Sequence, residues 1–380
     1  MGISLLFLRG RVPQDRDPRQ IMFDSLDECD DVWTQLAARM ASGGRGEVWY
    51  WGGRRKVEYR DGFVERWLPD LGGAEHDFDP DIIFARGGFR EYDAVLRRHP
   101  RAFKVYYGAG LRFLPAGSGY DLILVDAPEQ LAAAEAAFPG VASSLFVKPA
   151  AENVFRPRPG PKEYDVIFVG NEMGTDRKGH GFVLPNLPDG LRMVQVGIAS
   201  KKLRAAYPRV LFTGWIQRKR VAELYGRSRA AICCCDSAAD SCPRVIPEAL
   251  ACGCPILVLD GVRLWRDRYV TGETGLVATR ESFFDRLSWL VENHDRFSPY
   301  EYYRENLSLD VAAKHILGRA GRRPARRRPP RGPPWRRPRR SATRRTTAHG
   351  RGRATGRPCP SSTSPDPARA RVWTRGSCGG

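Results

Sequence analysis

The sequence of 380 residues lacks any apolar run long enough to cross a bilayer, which takes about 20 residues. Its first run, "ISLLFL", is also too short for the apolar part of a signal peptide and predicts a buried strand instead. The sequence shows no P-loop, no nucleophile elbow and no zinc-protease helix. These absences argue against membrane-spanning proteins, P-loop NTPases, α/β-hydrolases and zinc peptidases. We expect a cytoplasmic protein whose contact with a membrane, if it has one, is peripheral.

Lysine is scarce, and the nine cysteines show no zinc-site spacing. Three cysteines, Cys233, Cys234 and Cys235, are adjacent in "RAAICCCDS". Neighbouring residues of a strand point to opposite faces, so the triplet is a poor frame for disulfides and predicts a buried strand. Cys252 and Cys254 are separated by one residue, with no histidine nearby. The pattern indicates a reducing compartment.

The positive charge of the chain is concentrated in its last residues. The formal net charge is +19, yet residues 318–380 alone hold 19 arginines and one aspartate, and the remainder is almost neutral. The tail has almost no apolar periodicity and predicts disorder. Two interpretations stay open: a polybasic arm for nucleic acid or anionic lipid, or a frameshifted reading of GC-rich coding sequence. We expect nucleic acid as a partner only through this tail.

Short apolar runs alternate with amphipathic stretches through the rest of the chain. Runs such as "YDVIFVG" predict strands, and stretches such as "PEQLAAAEAAF" predict helices. This alternation is typical of parallel sheets covered by helices on both faces, and the strands are too many for one sheet. We predict an α/β protein with two Rossmann-like domains that face each other across a cleft. The predicted parts are 1–150, 151–300, a crossing helix at 301–317 and the disordered tail at 318–380.

The segment "DSCPRVIPEALACGCP", residues 240–255, follows a predicted strand and carries two acids eight residues apart. Pro247 has no amide hydrogen and fits only the first turn of a helix, which must begin near Val245 or Ile246. Gly253 marks the end of that helix. Glu248 then lies at the carboxyl end of the sheet, where open α/β sheets bind ligands. A carboxylate there can accept hydrogen bonds from a ribose, although interaction with the helix dipole alone explains the same residue.

Four blocks of the second half occur in a familiar order: "YDVIFVGNEMGTDRKGHG", "RVLFTGWIQRKRVAELYGRSRAAI", "SAADSCPRVIPEALACGCPILVLD" and "VTGETGLVA". They resemble the donor domain of retaining GT-B glycosyltransferases of the group 1, family 4-like kind. That group includes glycogen, sucrose-phosphate and lipopolysaccharide glycosyltransferases. The resemblance implies transfer of a sugar from a nucleoside diphosphate sugar, with retention of configuration. The acceptor would be a sugar, a lipid-linked molecule or a small molecule.

The resemblance also assigns roles to single residues. Glu248 matches the acid that binds the nucleotide ribose, Asp240 the acid beside the transferred sugar, and Lys178 the lysine at the donor diphosphate. These three are the predicted catalytic residues, although Asp240 is one methylene shorter than the glutamate of the family. Asn171 replaces an arginine of the family, whose charge Arg177 or Arg244 would supply. The predicted donor-binding residues are Gly170, Arg177, Lys178, Ser241, Arg244, Val245 and Glu248.

The acceptor is expected to bind the first domain. Gly10 and Arg11 follow the first strand, where the family has a glycine-bearing loop. His76 is a candidate for the acceptor-side histidine of the family, although an exposed histidine without a role fits the same position. The segment "HDFDPDIIF" resembles an Asp-x-Asp metal site, but it leads directly into a strand and is interpreted as a turn. We predict no metal and no cofactor, with cationic side chains stabilising the leaving nucleoside diphosphate.

Two other functions stay open. A GT-B nucleotide-sugar epimerase, or an inactive nucleotide-binding relic, would keep Glu248 and its nucleotide affinity but show no acceptor-dependent turnover. A nucleic-acid-binding protein acting through its basic tail would bind RNA or DNA with a steep salt dependence. That binding would disappear when residues 318–380 are removed.

Overall fold

The computed structural model describes residues 2–9, 31–41, 44–51, 55–58, 64–68, 78–108, 119–172, 176–235 and 241–321. These residues all belong to one compact unit. Within it the chain forms two separate β-sheets and the helices that connect their strands.

The first sheet has eight strands, seven of which are mutually parallel. They are β1 (Leu5–Arg9), β2 (Gly46–Trp51), β3 (Arg55–Glu58), β4 (Val64–Leu68), β5 (Ile82–Arg86), β6 (Phe103–Gly108), β7 (Leu122–Val125) and β8 (Ala142–Leu145). Their order is β3-β4-β2-β1-β5-β6-β7-β8, and only the β3–β4 pair is antiparallel. The four leucine and phenylalanine residues that begin β1 are completely buried, as expected for a central strand covered on both faces.

The second sheet has six parallel strands. They are β9 (Tyr164–Val169), β10 (Met193–Val196), β11 (Leu211–Phe212), β12 (Ser228–Cys233), β13 (Ile256–Leu259) and β14 (Gly275–Ala278). Their order is β11-β10-β9-β12-β13-β14. The predicted cysteine strand is confirmed, since β12 ends at Cys233, and Cys234 and Cys235 follow it in buried positions.

Helices connect most strands. In the first half they are α1 (Val32–Met40), α2 (Tyr92–Arg98) and α3 (Pro128–Ala137). In the second half they are α4 (His180–Val183), α5 (Lys201–Ala206), α6 (Arg218–Gly226), α7 (Val245–Ala251), α8 (Arg266–Tyr269), α9 (Phe283–Glu292), α10 (Pro299–Asn306) and α11 (Leu309–Gly321). Among these described helices, none combines the length and apolar character that a bilayer span requires.

Each sheet has one point at which the strand order reverses. In the first sheet, β1 lies between β2 and β5, so successive strands are added on opposite sides of it. In the second sheet, β9 lies between β10 and β12 in the same way. Crevices for ligands form at the carboxyl ends of strands at such switch points. The two crevices are therefore expected next to β1 and β5 and next to β9 and β12.

The carboxyl ends of the two sheets meet. Asp126, which follows β7, accepts a hydrogen bond from Ser241 Oγ at 3.0 Å, and Ser241 lies in the segment between β12 and α7. On another side, α11 packs against α1, where Arg39 Nε and Asp310 Oδ1 are 3.4 Å apart. The predicted arrangement of two α/β sheets across a cleft is confirmed.

Two strands escaped the sequence analysis. β3 and β4 contain the segments "RKVE" and "VERWL", whose charged residues dilute the apolar pattern. β3 is the edge strand, where one neighbour is missing and charged side chains are tolerated, and β4 lies next to it, between β3 and β2. The prediction of strands from short apolar runs therefore missed β3 and β4.

The single crossing helix predicted at 301–317 is in fact two helices. α10 ends at Asn306 and α11 begins at Leu309, with Ser308 between them. Val311 N donates to Ser308 Oγ at 3.4 Å, as at a serine N-cap, and Leu309 N donates to Glu152 Oε1 at 2.7 Å. These bonds start a new helix. Because α11 runs to Gly321, residues 318–321, assigned to the tail, are helical.

Candidate functional site

The switch point of the second sheet holds Lys178. Gly170 directly follows β9, and a Cβ atom added there would lie 3.1 Å from Cβ and from Cγ of Lys178. The missing side chain thus makes room for the stem of the lysine. Lys178 Nζ lies 3.4 Å from Sγ of Cys235, which follows β12. The ammonium group is therefore held between the ends of the two strands at which a crevice is expected.

A tight turn places Lys178. Gly179 has a φ of +82°, a left-handed conformation that side chains rarely adopt, and its Cα faces Cys234. The following His180 is buried behind the turn, 3.3 Å from Nε2 of Gln195. Burial lowers the pKa of His180, so the ring is neutral at physiological pH. Lys178 thus faces the crevice with an uncharged, packed support behind it.

Substitution of Gly179 by alanine is expected to cost more than the same change at Gly190. Both glycines have nearly equal φ angles, +82° and +86°. Alanine should therefore introduce the same backbone strain at either position, about 1–2 kcal/mol. A Cβ at Gly179 would lie 2.8 Å from Cβ of Cys234, whereas nothing lies within 4 Å at Gly190. Urea denaturation of both variants measures the difference. Equal losses would show that the turn is not packed against Cys234.

Glu248 lies in the first turn of α7, as predicted from Pro247, and Gly253 follows the helix with a φ of +72°. The helix boundaries predicted from these two residues are confirmed. Burial raises the pKa of Glu248, while the charges of Arg244 and then Arg218 lower it. Glu248 is thus a partly buried acid close to two arginines. Arg218 begins α6 and was missed, because a single basic residue at a helix start carries no signal of its own.

A buried polar network joins the segment before α7 to the first sheet. Lys148 Nζ lies 2.9 Å from Asp126 Oδ2 and donates to the carbonyl oxygens of Ser241 at 3.1 Å and Cys242 at 2.8 Å. Tyr107 Oη donates to Asp126 Oδ1 at 2.7 Å. The Asp126 side chain is completely buried and that of Lys148 is 8% exposed. An ion pair at this depth fixes the backbone of the segment that leads to Glu248.

The network also occupies Ser241, a predicted donor-binding residue. Its hydroxyl donates to Asp126 and accepts a hydrogen bond from Gln130 Nε2 at 3.1 Å. Cys242, the next residue, has a φ of +40°, which is unusual for a residue with a side chain. The structure therefore gives the Ser241 hydroxyl a bonding role between the sheets. Its part in donor binding remains a prediction.

The switch point of the first sheet carries a second group of charges. Arg9, the last residue of β1, is ion-paired with Asp31 and donates to Tyr50 Oη at 2.8 Å. Arg86, the last residue of β5, places its Cζ 5.0 Å from the ring centroid of Trp33. Asp31 caps α1 by accepting a hydrogen bond from Thr34 N at 3.0 Å. Burial raises the pKa of Asp31, but the charges of Arg9 and then of Arg218, the first residue of α6, lower it below its ordinary value.

Some of the remaining predicted site residues lie in the described part of the chain and others do not. Arg177 is exposed next to Lys178, Arg244 is exposed before α7, and Val245 is partly buried as the first residue of α7. The catalytic candidate Asp240 and the acceptor candidates Gly10, Arg11 and His76 lie outside the described residues. Their roles remain predictions.

The aspartates of "HDFDPDIIF" take the positions of a turn before a strand. Asp81 Oδ2 accepts a hydrogen bond from Ser4 N at 2.9 Å, and β5 begins at the next residue. Asp79 Oδ1 lies 3.7 Å from Nδ1 of His99. Asp77 lies outside the described residues. The two described carboxylates therefore have different partners.

Comparison with known proteins finds a family match in the second half of the chain. Residues 163–293, which span β9 to α9, match the family described as glycosyl transferases group 1. No curated protein matches the chain in sequence.

Solved structures extend the match to both sheets. Sucrose-phosphate synthase from Thermosynechococcus elongatus is 13% identical, with a TM-score of 0.60 over 83% of this chain and 98% of that one. A glycosyltransferase from Rickettsia africae is 11% identical, with a TM-score of 0.60 over 84% and 98%. Anabaena Alr3699/HepE in complex with UDP-glucose is 12% identical, with a TM-score of 0.56 over 83% and 98%.

At these identities the likeness defines the fold, which is the GT-B fold of two facing α/β sheets. Within it, residues 163–293 are the part of the chain that matches the glycosyl transferases group 1 family.

Proposed function

We propose that the protein transfers a sugar from a nucleoside diphosphate sugar to an acceptor bound at the first sheet. The observation that carries the proposal is the position of Lys178 and Glu248. Both follow the carboxyl ends of strands within residues 163–293, the part that matches group 1 glycosyl transferases: Lys178 lies after β9 and Glu248 in the helix after β12. These carboxyl ends face the carboxyl edge of the first sheet. Two substrates bound at the two switch points would therefore meet in the cleft.

The chemistry assigns the two residues separate tasks. Negative charge grows on the nucleoside diphosphate as the glycosidic bond breaks, and a positive charge fixed in advance stabilises that state. Lys178, held against Gly170, supplies such a charge. Glu248 accepts hydrogen bonds from the two ribose hydroxyls. Because burial disfavours its charged form, Glu248 gains from each donor that a nucleotide provides.

The proposal includes a metal-independent reaction. The charges of Arg244 and Arg218 lower the pKa of Glu248, and together with Lys178 these three cations would surround a bound donor. Such side chains perform the task that a divalent ion performs in other transferases. Asp240 is proposed to lie beside the transferred sugar. Retention of configuration is proposed because the sequence blocks resemble those of retaining enzymes. A hexose is proposed as the transferred sugar because Anabaena Alr3699/HepE was solved with UDP-glucose.

UDP is the first nucleotide to test, because Anabaena Alr3699/HepE was solved with UDP and with UDP-glucose. Thermal unfolding of the full chain is measured with UDP, GDP, ADP and dTDP and with their common sugar conjugates. A ligand that binds only the folded state raises the melting temperature. Assays of acceptor-dependent nucleotide release then separate a transferase from a protein that only binds nucleotides.

Whichever nucleotide stabilises the wild-type protein should bind Lys178→Ala about tenfold more weakly. Tenfold is the effect of losing one charge-assisted hydrogen bond. Lys314→Ala is the matched control, since Lys314 is an exposed lysine of α11. A melting-temperature shift that is equal in both variants would contradict the assignment of Lys178. The absence of any nucleotide shift in a protein that unfolds cooperatively would contradict the proposed function itself.

A further inference from the structure

The carboxyl edge of the first sheet carries a cation that the proposed reaction does not use. Arg86 ends β5 and lies next to Arg9, because β1 and β5 are paired neighbours with Leu8 opposite Ala85. Within the described part of the chain, the Arg86 side chain makes no hydrogen bond and no ion pair, and its Nε is buried without a partner. Its guanidinium is positioned by stacking over Trp33 instead.

The acids nearby already have partners. Asp31 is ion-paired with Arg9, and its Oδ2 also accepts hydrogen bonds from Thr34 N at 3.0 Å and Thr34 Oγ1 at 2.9 Å. Asp126 is committed to Lys148 at 2.9 Å and to Tyr107 at 2.7 Å. The charge of Arg86 is therefore not matched by a carboxylate of the described residues.

The second sheet adds positive charge from the opposite side. Burial and then the charge of Arg9 lower the pKa of Arg86, Tyr107 and Asp31 raise it, and Arg244 lowers it further, with a net lowering. Arg244 precedes α7, so this contribution comes from the second half of the chain. In the described part of the chain, the arginines Arg9, Arg86, Arg218 and Arg244 act electrostatically on one another or on two acids, Asp31 and Glu248. An anion that enters this region is attracted by the excess charge.

We propose, on the basis of the proposed transferase function, that the acceptor carries an oxyanion, and that Arg86 binds it at the carboxyl ends of β1 and β5. A guanidinium is planar and forms paired hydrogen bonds with a carboxylate or a phosphate. Contact with the Trp33 ring positions the Arg86 guanidinium, and Arg9 places a second cation beside it. The anionic group would hold the acceptor at the switch point of the first sheet, with its hydroxyl directed toward the donor.

The test compares Arg86→Met with Arg90→Met in the full chain. Methionine keeps an apolar stem against Trp33 but removes the charge, and Arg90 is an exposed arginine four residues further along the chain. Melting temperatures are measured at constant ionic strength with inorganic phosphate, acetate, glucose 6-phosphate, glucuronate and glucose. The basic tail is present in every variant, so its own anion binding cancels in the comparison.

We expect anions to stabilise the wild-type protein and Arg90→Met equally, and Arg86→Met to bind them about tenfold more weakly. Glucose should cause no shift. A stronger effect of glucose 6-phosphate indicates a phosphate-bearing acceptor, and a stronger effect of glucuronate indicates a carboxylate. The proposal is overturned if Arg86→Met responds to every anion as the wild-type protein does, or if no anion stabilises the wild-type protein.

The nucleotide titrations keep this test separate from the test of the proposed function. If UDP and the other nucleotides fail to stabilise the protein while anion binding depends on Arg86, the oxyanion site stands and the transferase proposal fails. If a nucleotide binds through Lys178 but Arg86→Met changes no anion response, the transferase proposal stands and the acceptor proposal fails.

Discussion

Lys148→Met is expected to lower the free energy of unfolding by about 3–5 kcal/mol, the usual cost of removing one partner from a buried ion pair. Asp126 is completely buried, and its Oδ2 lies 2.9 Å from Lys148 Nζ. Methionine fills a similar volume but leaves the carboxylate without its counter-ion. Two carbonyl oxygens, those of Ser241 and Cys242, also lose their donor. Denaturant unfolding of the full chain measures the loss.

A double-mutant cycle identifies the cause of that loss. In Lys148→Met with Asp126→Asn, no buried charge remains unpaired, so the double variant should be more stable than Lys148→Met alone. Lys219→Met is the matched control, because Lys219 is exposed on α6, and it should stay within about 0.5 kcal/mol of the wild-type protein. A loss of less than about 1 kcal/mol for Lys148→Met would show that the ion pair does not hold the sheets together.

Lys148→Met should also weaken nucleotide binding, although Lys148 belongs to the first half of the chain and the predicted nucleotide site to the second. Lys148 holds the backbone of Ser241 and Cys242, which leads directly to α7 and Glu248. Without it, the positive φ of Cys242 is no longer supported by the network. A nucleotide would then have to order this segment on binding, and part of its binding energy would be lost. Titration of the variant at a temperature where it is fully folded checks this expectation.

Glu248→Gln is expected to have two effects of opposite sign. Without nucleotide, the variant should be more stable than the wild-type protein at neutral pH, because no charge is buried at the site. With nucleotide, it should bind about 10- to 100-fold more weakly, since charge-assisted hydrogen bonds to the ribose become ordinary ones. A residue with a purely structural role would lose stability and affinity together. Melting temperatures with and without UDP measure both effects.

The direction of the pKa shift of Glu248 determines how the stability of the wild-type protein, relative to Glu248→Gln, depends on pH. Burial raises the pKa of Glu248 above its ordinary value of 4.5, so the folded protein holds this proton more tightly than the unfolded chain. Below the unfolded pKa the carboxyl group is neutral in both states and imposes no penalty. As the pH rises through the folded pKa, the wild-type protein should lose stability relative to Glu248→Gln.

Glu273→Gln controls for the removal of a negative charge elsewhere, because Glu273 is exposed. It should change neither the pH dependence nor nucleotide binding. If Glu248→Gln is no more stable than the wild-type protein at neutral pH and binds nucleotide equally well, Glu248 is not the ribose-binding acid.

Local pattern was sufficient for much of the fold. Each predicted apolar run contains or overlaps a strand, because a strand covered on both faces needs consecutive bulky apolar residues. The helix at Val245–Ala251 was predictable because Pro247 and Gly253 restrict the backbone wherever they occur. Strand β4, the second strand from the edge, was not predictable in this way, since residues such as Arg66 and Glu65 interrupt its apolar pattern.

The sequence by itself determined the two sets of α/β elements, the helix that carries Glu248 and the resemblance to a donor domain. These features depend on residues that are close together in the chain. Only the tertiary structure decided that Asp126 and Lys148 bond to the segment before α7, and that the Arg86 guanidinium lies over the Trp33 ring. Such contacts depend on strand order and on how two sheets pack. Residues far apart in the chain carry no local sign of meeting there.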